Sequence, residues 1–311
     1  MIGFLLRRLA WSLLVVCFVV SATFLMTMAI PADPARTLVG PHGDQETIAR
    51  VREAYCLDGG FAHQYGCFIG NVARGDLGTS FRSQRPVADI ILDRVWPTAQ
   101  LALAAMFLQL LLSLPLGILA AVRRNKGADV AASTAALIGQ SAPTFFIGTL
   151  LVYLLGFRWA WFPVSGYGEA GWDRLHHLFL PALTLAVTGM ATYTRILRAE
   201  MIEILAEDYI RTARAKGVSE RRVVLRHALR NALGPVVTLV GLDLGVLMGG
   251  AVITETIFAW PGLGREVLQA ILEIDIPLIV GVVLVAAVAI VVANLLVDLA
   301  YAWLDPRVRI G

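Results

Sequence analysis

Apolar residues come in long blocks along this chain, and polar residues gather between the blocks. Leu9–Ile30 carries no charge, nor does Pro97–Val122, and Ile276–Val297 is equally clean. Each exceeds the ~20 residues that a helix needs to cross a hydrocarbon core of ~30 Å. Val130–Phe157 is a fourth such run and contains Pro143. Leu178–Thr194, continuing toward Ala199, and Ala232–Thr254 are weaker runs. The pattern predicts an all-α polytopic membrane protein with about six transmembrane helices. It divides the chain into a first span (1–30), an extracytoplasmic segment (31–96) and a core of five further spans (97–311). A polar stretch at about 201–231 interrupts that core.

Composition supports the same class. Of 311 residues, 58% are hydrophobic and 16% charged, against about 25% charged in a soluble chain. The basic residues then set the orientation. Arg7 and Arg8 precede the first run, Arg123, Arg124 and Lys126 follow the second, and Arg307 and Arg309 end the chain. The polar stretch holds Arg211, Arg214, Lys216, Arg221, Arg222, Arg226 and Arg230, whereas the short opposite loops have few. The long 31–96 segment has several Arg, but long translocated segments largely escape the rule. Both termini and the polar stretch are therefore expected in the cytoplasm. The net charge of +3 reads as a topology signal rather than as affinity for nucleic acid. The first run exceeds the ~7–15 apolar residues of a secretory signal and lacks a clean cleavage site after Ile30, so it is read as a retained span.

The extracytoplasmic segment holds Cys56 and Cys67, with His63 between them. An oxidising location favours a disulfide. A metal site and two unpaired thiols are the other readings. One nearby His and no second cysteine pair make a poor metal set, so no metal is expected. Trp159, Trp161, Tyr167 and Trp172 suit an interfacial belt, and His176 and His177 go with them. Trp260 beside the Pro261-Gly262 turn reads as a further interface anchor, followed by an amphipathic helix over Arg265–Asp275.

The polar stretch reads MIEILAEDYIRTARAKGVSERRVVLRHALRN. Glu203–Lys216 fits one helix, with Arg214 and Lys216 in its last turn and Gly217 just past it. Ser219 then caps a second helix, with Glu220 in its first turn. A basic helix–turn–helix suggests DNA, but both ends are tethered to the bilayer over a short reach.

Within the spans, Asp243 lies deep in the fifth run, and Asp298 follows Asn294 by one turn near the end of the last. Intramembrane acids are costly and point to function by default. Gly241, Gly245 and Gly249 recur every four residues, a face for close helix packing. Gln109/Ser113 and Gln140/Thr144 are polar pairs spaced four apart. No G-x-x-x-x-G-K-[ST] phosphate loop, G-x-S-x-G or H-E-x-x-H occurs. The chain is not expected to be an enzyme, and any ATP is bound by another chain.

Five stretches converge on one family. They are GDLGTSFRSQRPV (Gly75–Val87), SAPTFFIG (Ser141–Gly148), YIRTARAKGVSERRVVLRHALRNAL (Tyr209–Leu233), ETIFAWPGLG (Glu255–Gly264) and NLLVDLAYAWLDPRVR (Asn294–Arg309). Over almost its whole length the chain resembles the B-type membrane subunit of ABC importers for dipeptides, oligopeptides and nickel. The resemblance implies a type I ABC importer permease fold in a bacterial cytoplasmic membrane. It also implies that the polar stretch is the loop that docks on an ATPase subunit. The Glu-Ala-Ala positions of that loop fall on Arg211, Thr212 and Ala213, so the general pattern keeps only Ala213 and Gly217, while the peptide-permease version RTARAKG is intact. Tyr209, Arg214, Ala215, Lys216 and Arg221 complete the implied coupling set.

The same resemblance implies a second homologous permease subunit, two ATPase subunits, alike or different, and an extracytoplasmic binding protein. The chain itself would bind no cofactor, with ATP and Mg²⁺ held by the ATPases. Short peptides are the favoured substrate, with nickel or a nickel chelate as the alternative. Of other classes, a stand-alone secondary transporter would need inverted repeats or a run of intramembrane acids, and neither is visible. A membrane-anchored signalling protein is the remaining alternative.

Overall fold

The computed structural model describes residues 2–29, 35, 44–54 and 56–304. Among them the chain is helical, apart from loops and one isolated bridge between Thr79 and Pro86. The helices are α1 (Ile2–Ala29), α2 (Gln45–Ala54), α3 (Phe61–Ala73), α4 (Val87–Val122), α5 (Gly127–Ser141) and α6 (Thr144–Leu151), which continues as a π-helical turn over Val152–Arg158. Then come α7 (Trp172–Leu205), α8 (Asp208–Ala215), α9 (Glu220–Met248, π-helical over Val223–Ala228), α10 (Val252–Ile257), α11 (Leu263–Leu272) and α12 (Ile276–Leu304).

Four helices are long and apolar enough to cross a membrane: α4, α7, α9 and the Ile276–Leu296 part of α12. The fourth expected run, Val130–Phe157, is not one continuous helix. There α5 and α6 meet at 102°, so they form one broken span at most. The cause is Pro143, which lacks an N–H and forces the preceding residue out of the helical region. Ala142 is indeed extended, at φ −81°, ψ 135°. Gln140 and Thr144 consequently share no helix face. Gln140 instead reaches α7, where its Oε1 accepts from Arg195 Nη2 at 2.8 Å. The apolar part of α1 is shorter, Ala10–Met26.

Helices α4 and α7 form the central pair, α9 packs on both and on α12, α5 lies on α7, and α1 lies on α12. At ~1.5 Å per residue the 36 residues of α4 extend ~54 Å and the 34 of α7 ~51 Å. Both overrun a ~30 Å hydrocarbon core and carry structure out on either side. Lipid is as apolar as Leu, so contact between these helices depends on close packing. Gly245 shows this most directly: a Cβ there would lie 3.1 Å from Ile290 Cα of α12. Gly249 faces Ala286 of the same helix, and Gly241 is buried. Gly245 and Gly249 thus lie on the packing face of α9 against α12.

Outside the spans, α3 sits across α1 through Phe24, whose ring contacts Phe61, Tyr65 and Phe68. The Gly75–Val87 loop is latched to the start of α12, where buried Asp275 accepts from Ser80 Oγ at 2.5 Å and Phe81 N at 3.1 Å. Trp260 does not anchor at the interface. It is fully buried and donates Nε1–H to Pro97 O at 2.9 Å. The α10–α11 segment folds back into the bundle at Gly250 (φ +105°) and carries the indole inward. Tyr167 also turns inward, onto Trp260 and Gln100. His176 and His177 contact the backbone oxygens of Trp161 and Asp173.

Candidate functional site

The polar stretch is not the single helix expected over Glu203–Lys216. Helix α7 ends at Leu205, the chain turns at Ala206 and Glu207, and α8 starts afresh. Ile210 dictates the break. It is the only buried residue of α8 and joins the apolar cluster that holds Leu197 and Met201 of α7 and Val223, Val224 and Ala228 of α9. A straight continuation of α7 would carry it away from that cluster. Its burial contributes ~1.5–3 kcal/mol. Tyr209, Arg211, Thr212, Arg214, Ala215 and Lys216 stay exposed around it.

The end of α8 is a Schellman cap. Gly217 N–H donates to Arg214 O at 3.0 Å, and Val218 N–H to Ala213 O at 3.2 Å. Gly217 sits at φ +77°, where a side chain is strained, although no atom lies within 4 Å of its would-be Cβ. Val218 and Ala213 close the cap as an apolar contact over the Ile210 cluster.

Ser219 holds the cap position of α9 but makes no side-chain cap bond. Its carbonyl accepts from Arg222 and Val223 N–H instead. The fastening comes from Arg214 and Glu220, paired at 3.0 Å (Nε–Oε2) and 2.7 Å (Nη2–Oε1). The Glu220 hydrogen bonds raise the Arg214 guanidinium further above its ordinary range. Arg214 Nη1 also donates to Leu205 O, the end of α7, at 3.5 Å. At the other end, Asn231 Nδ2 of α9 donates to Tyr209 Oη at 2.8 Å. Helix α8 is therefore a short exposed rod fixed to the ends of two membrane helices.

Behind the hairpin lies a polar contact between three spans. Asp243 Oδ2 accepts from Tyr193 Oη of α7 at 2.8 Å and Gln109 Nε2 of α4 at 3.5 Å. Arg198 of α7 grips Asp129 of α5 through two bonds of 2.6 and 2.7 Å. Glu255 is fully buried, accepts from Thr98 Oγ1 and Arg265 N–H, and has its carboxyl pushed up by burial. Tyr193, Arg198, Asp129 and Glu255 were not singled out from the sequence. The available signal was a charged or phenolic residue inside or beside an apolar run.

Asn294 is half-buried on α12, the side chain of Asp298 lies outside the described residues, and so do Arg307 and Arg309. Cys56 and Cys67 are joined in a disulfide with Cα atoms 6.4 Å apart. His63 approaches Cys67 Sγ at 3.9 Å, but both sulfurs of this potential ligand set are taken by the disulfide.

Two family models match this arrangement. The binding-protein-dependent transport system inner membrane component covers residues 113–310, and the N-terminal part of such a membrane component covers 1–102. The chain belongs to this family. The glutathione transport system permease protein GsiC of Escherichia coli O6:H1 is 41% identical over 310 residues, 99% of each chain. GsiC of strain K12 is 40% identical over the same share. Among solved structures, an inward-facing MetNI methionine ABC transporter chain is 18% identical with a TM-score of 0.58, over 70% of this chain and 96% of that one. The fold is thus that of ABC importer permeases. The chain is the non-catalytic, multi-pass permease subunit of an ABC importer of the inner membrane, working with ATPase and binding-protein partners. That membership sets aside the stand-alone transporter and signalling readings.

Proposed function

We propose that this subunit forms half of the translocation pathway for short peptides and that α8 is where the partner ATPase pushes. The observation that carries the coupling role is the exposed α8 rod, held by Ile210 and tied to both α7 and α9. Displacement of α8 moves the ends of two spans together. It reaches the Asp243–Tyr193–Gln109 contact, which links α9 to α7 and α4 mid-bundle. The arginine-rich ends of the spans support cytoplasmic termini. One further permease subunit and two ATPases, alike or different, complete the complex, with ATP and Mg²⁺ on the ATPases.

The peptide reading rests on the GsiC relatives, which are named for the transport of glutathione, a tripeptide. The test is uptake into proteoliposomes holding the whole complex, with ATP inside the vesicle and binding protein outside. Loading the binding protein with glutathione or other di- to pentapeptides should give ATP-dependent uptake. Uptake of Ni²⁺ alone, or of nothing, would overturn the peptide reading.

A further inference from the structure

A groove of about 590 Å³ opens where the end of α4 meets the start of α9. That size lies within the ~300–1,000 Å³ usual for small-molecule sites. One wall is the outward stripe of α4 formed by Pro115, Leu119 and Val122, spaced so as to share a face. The other wall carries Leu225, in the π-helical part of α9. Leu119, Val122 and Leu225 are 39%, 46% and 45% exposed, so no other part of the described chain covers them. Arg123 and Arg221 stand at the mouth. Neither joins an ion pair among the described residues, whereas Glu220 beside them is occupied by Arg214. The groove is therefore an apolar slot with a positively charged mouth. Arg123 directly follows the charge-free run of α4, which puts the mouth at headgroup depth.

We propose that this groove holds one anionic phospholipid of the cytoplasmic leaflet, its phosphate between Arg123 and Arg221 and an acyl chain along Leu119, Val122 and Leu225. Apolar walls that end in two unpaired arginines reproduce the order of a phospholipid, chain first and charge last. Basic pockets between spans on the cytoplasmic side bind such headgroups, and each arginine near an anionic surface is worth roughly fivefold in affinity. The lipid touches Arg221, next to the Glu220 that fastens α8, so it braces the joint between hairpin and span. This inference stands apart from the identity of the transported substrate.

The experiment uses the whole complex in nanodiscs of phosphatidylcholine alone or mixed equally with phosphatidylglycerol, with retained lipid counted by native mass spectrometry. Phosphatidylglycerol should stay bound in preference to phosphatidylcholine. Arg123→Gln should weaken its retention roughly fivefold, and Arg123→Gln with Arg221→Gln about thirtyfold. Val122→Trp, which fills the slot, should expel the lipid while all subunits still co-purify. Equal retention of the two lipids, or unchanged retention in the double variant, would overturn the proposal. So would a Val122→Trp complex that sheds a subunit at constant lipid count, because the groove would then be a protein interface.

Discussion

Ile210→Ala is the sharpest perturbation of the hairpin. Alanine keeps the helix propensity of α8 but removes the one side chain it buries. In packed sites the change costs ~2–5 kcal/mol. What remains is weaker. The Arg214–Glu220 pair has side chains 41% and 56% exposed, which limits it to at most ~1 kcal/mol. The Asn231–Tyr209 hydrogen bond adds ~1 kcal/mol. The substitution thus removes the largest contribution, and α8 should detach locally while the bundle stays folded. At the lower bound of ~2 kcal/mol the opening equilibrium shifts roughly thirtyfold. Hydrogen exchange reads this at the amides of Gly217 and Val218, which bond to Arg214 O and Ala213 O. Their protection should fall about thirtyfold, and peptide taken up per ATP hydrolysed should fall with it. Unchanged protection and an unchanged uptake-to-ATP ratio would refute the anchoring argument. So would a loss of protection spread evenly over α4 and α7.

Three further outcomes follow from single positions. Gly217→Val has room for its side chain but not the backbone conformation, so it should cost at least ~1–2 kcal/mol of cap stability and lower uptake per ATP, while Gly217→Asn, which tolerates positive φ, should retain it. Gly245→Leu must push α9 away from the Ile290 backbone; overpacking of this kind costs ~1–3 kcal/mol, visible as a lower melting temperature of the complex in detergent. For Glu255, burial raises the folded-state pKa above the ordinary 4.5, so the folded chain holds the proton more tightly than the unfolded one. Stability then falls as pH rises from that value through the folded pKa, and thermal melts of Glu255→Gln across the range should lose this slope.

The membrane class was legible in the sequence because a soluble fold has no use for several charge-free runs of spanning length. The cap at Gly217 was equally readable, since a Gly after a basic last turn has a local cause. Pro143 was visible too, yet its effect depends on neighbours: a proline in a span can merely kink it, and here extended Ala142 swings α6 through 102°. The break before α8 was hidden because its cause, the pull of Ile210 toward α7 and α9, is tertiary. The same holds for Arg198 with Asp129 and for Tyr193 with Asp243, which are brought together only when separate helices pack. Trp260 read as an interface anchor and Glu255 carried no signal of its own, and only the inward fold of α10 and α11 buries them.

The central claim, that α8 meets the ATPase, is tested most directly by contact. A photoactivatable residue placed at exposed Lys216 in the assembled complex should cross-link to an ATPase subunit on illumination. The same residue at exposed Trp172, at the opposite end of α7 from the hairpin, should give no such adduct. Absence of the adduct from Lys216, or equal yield from Trp172, would contradict the account.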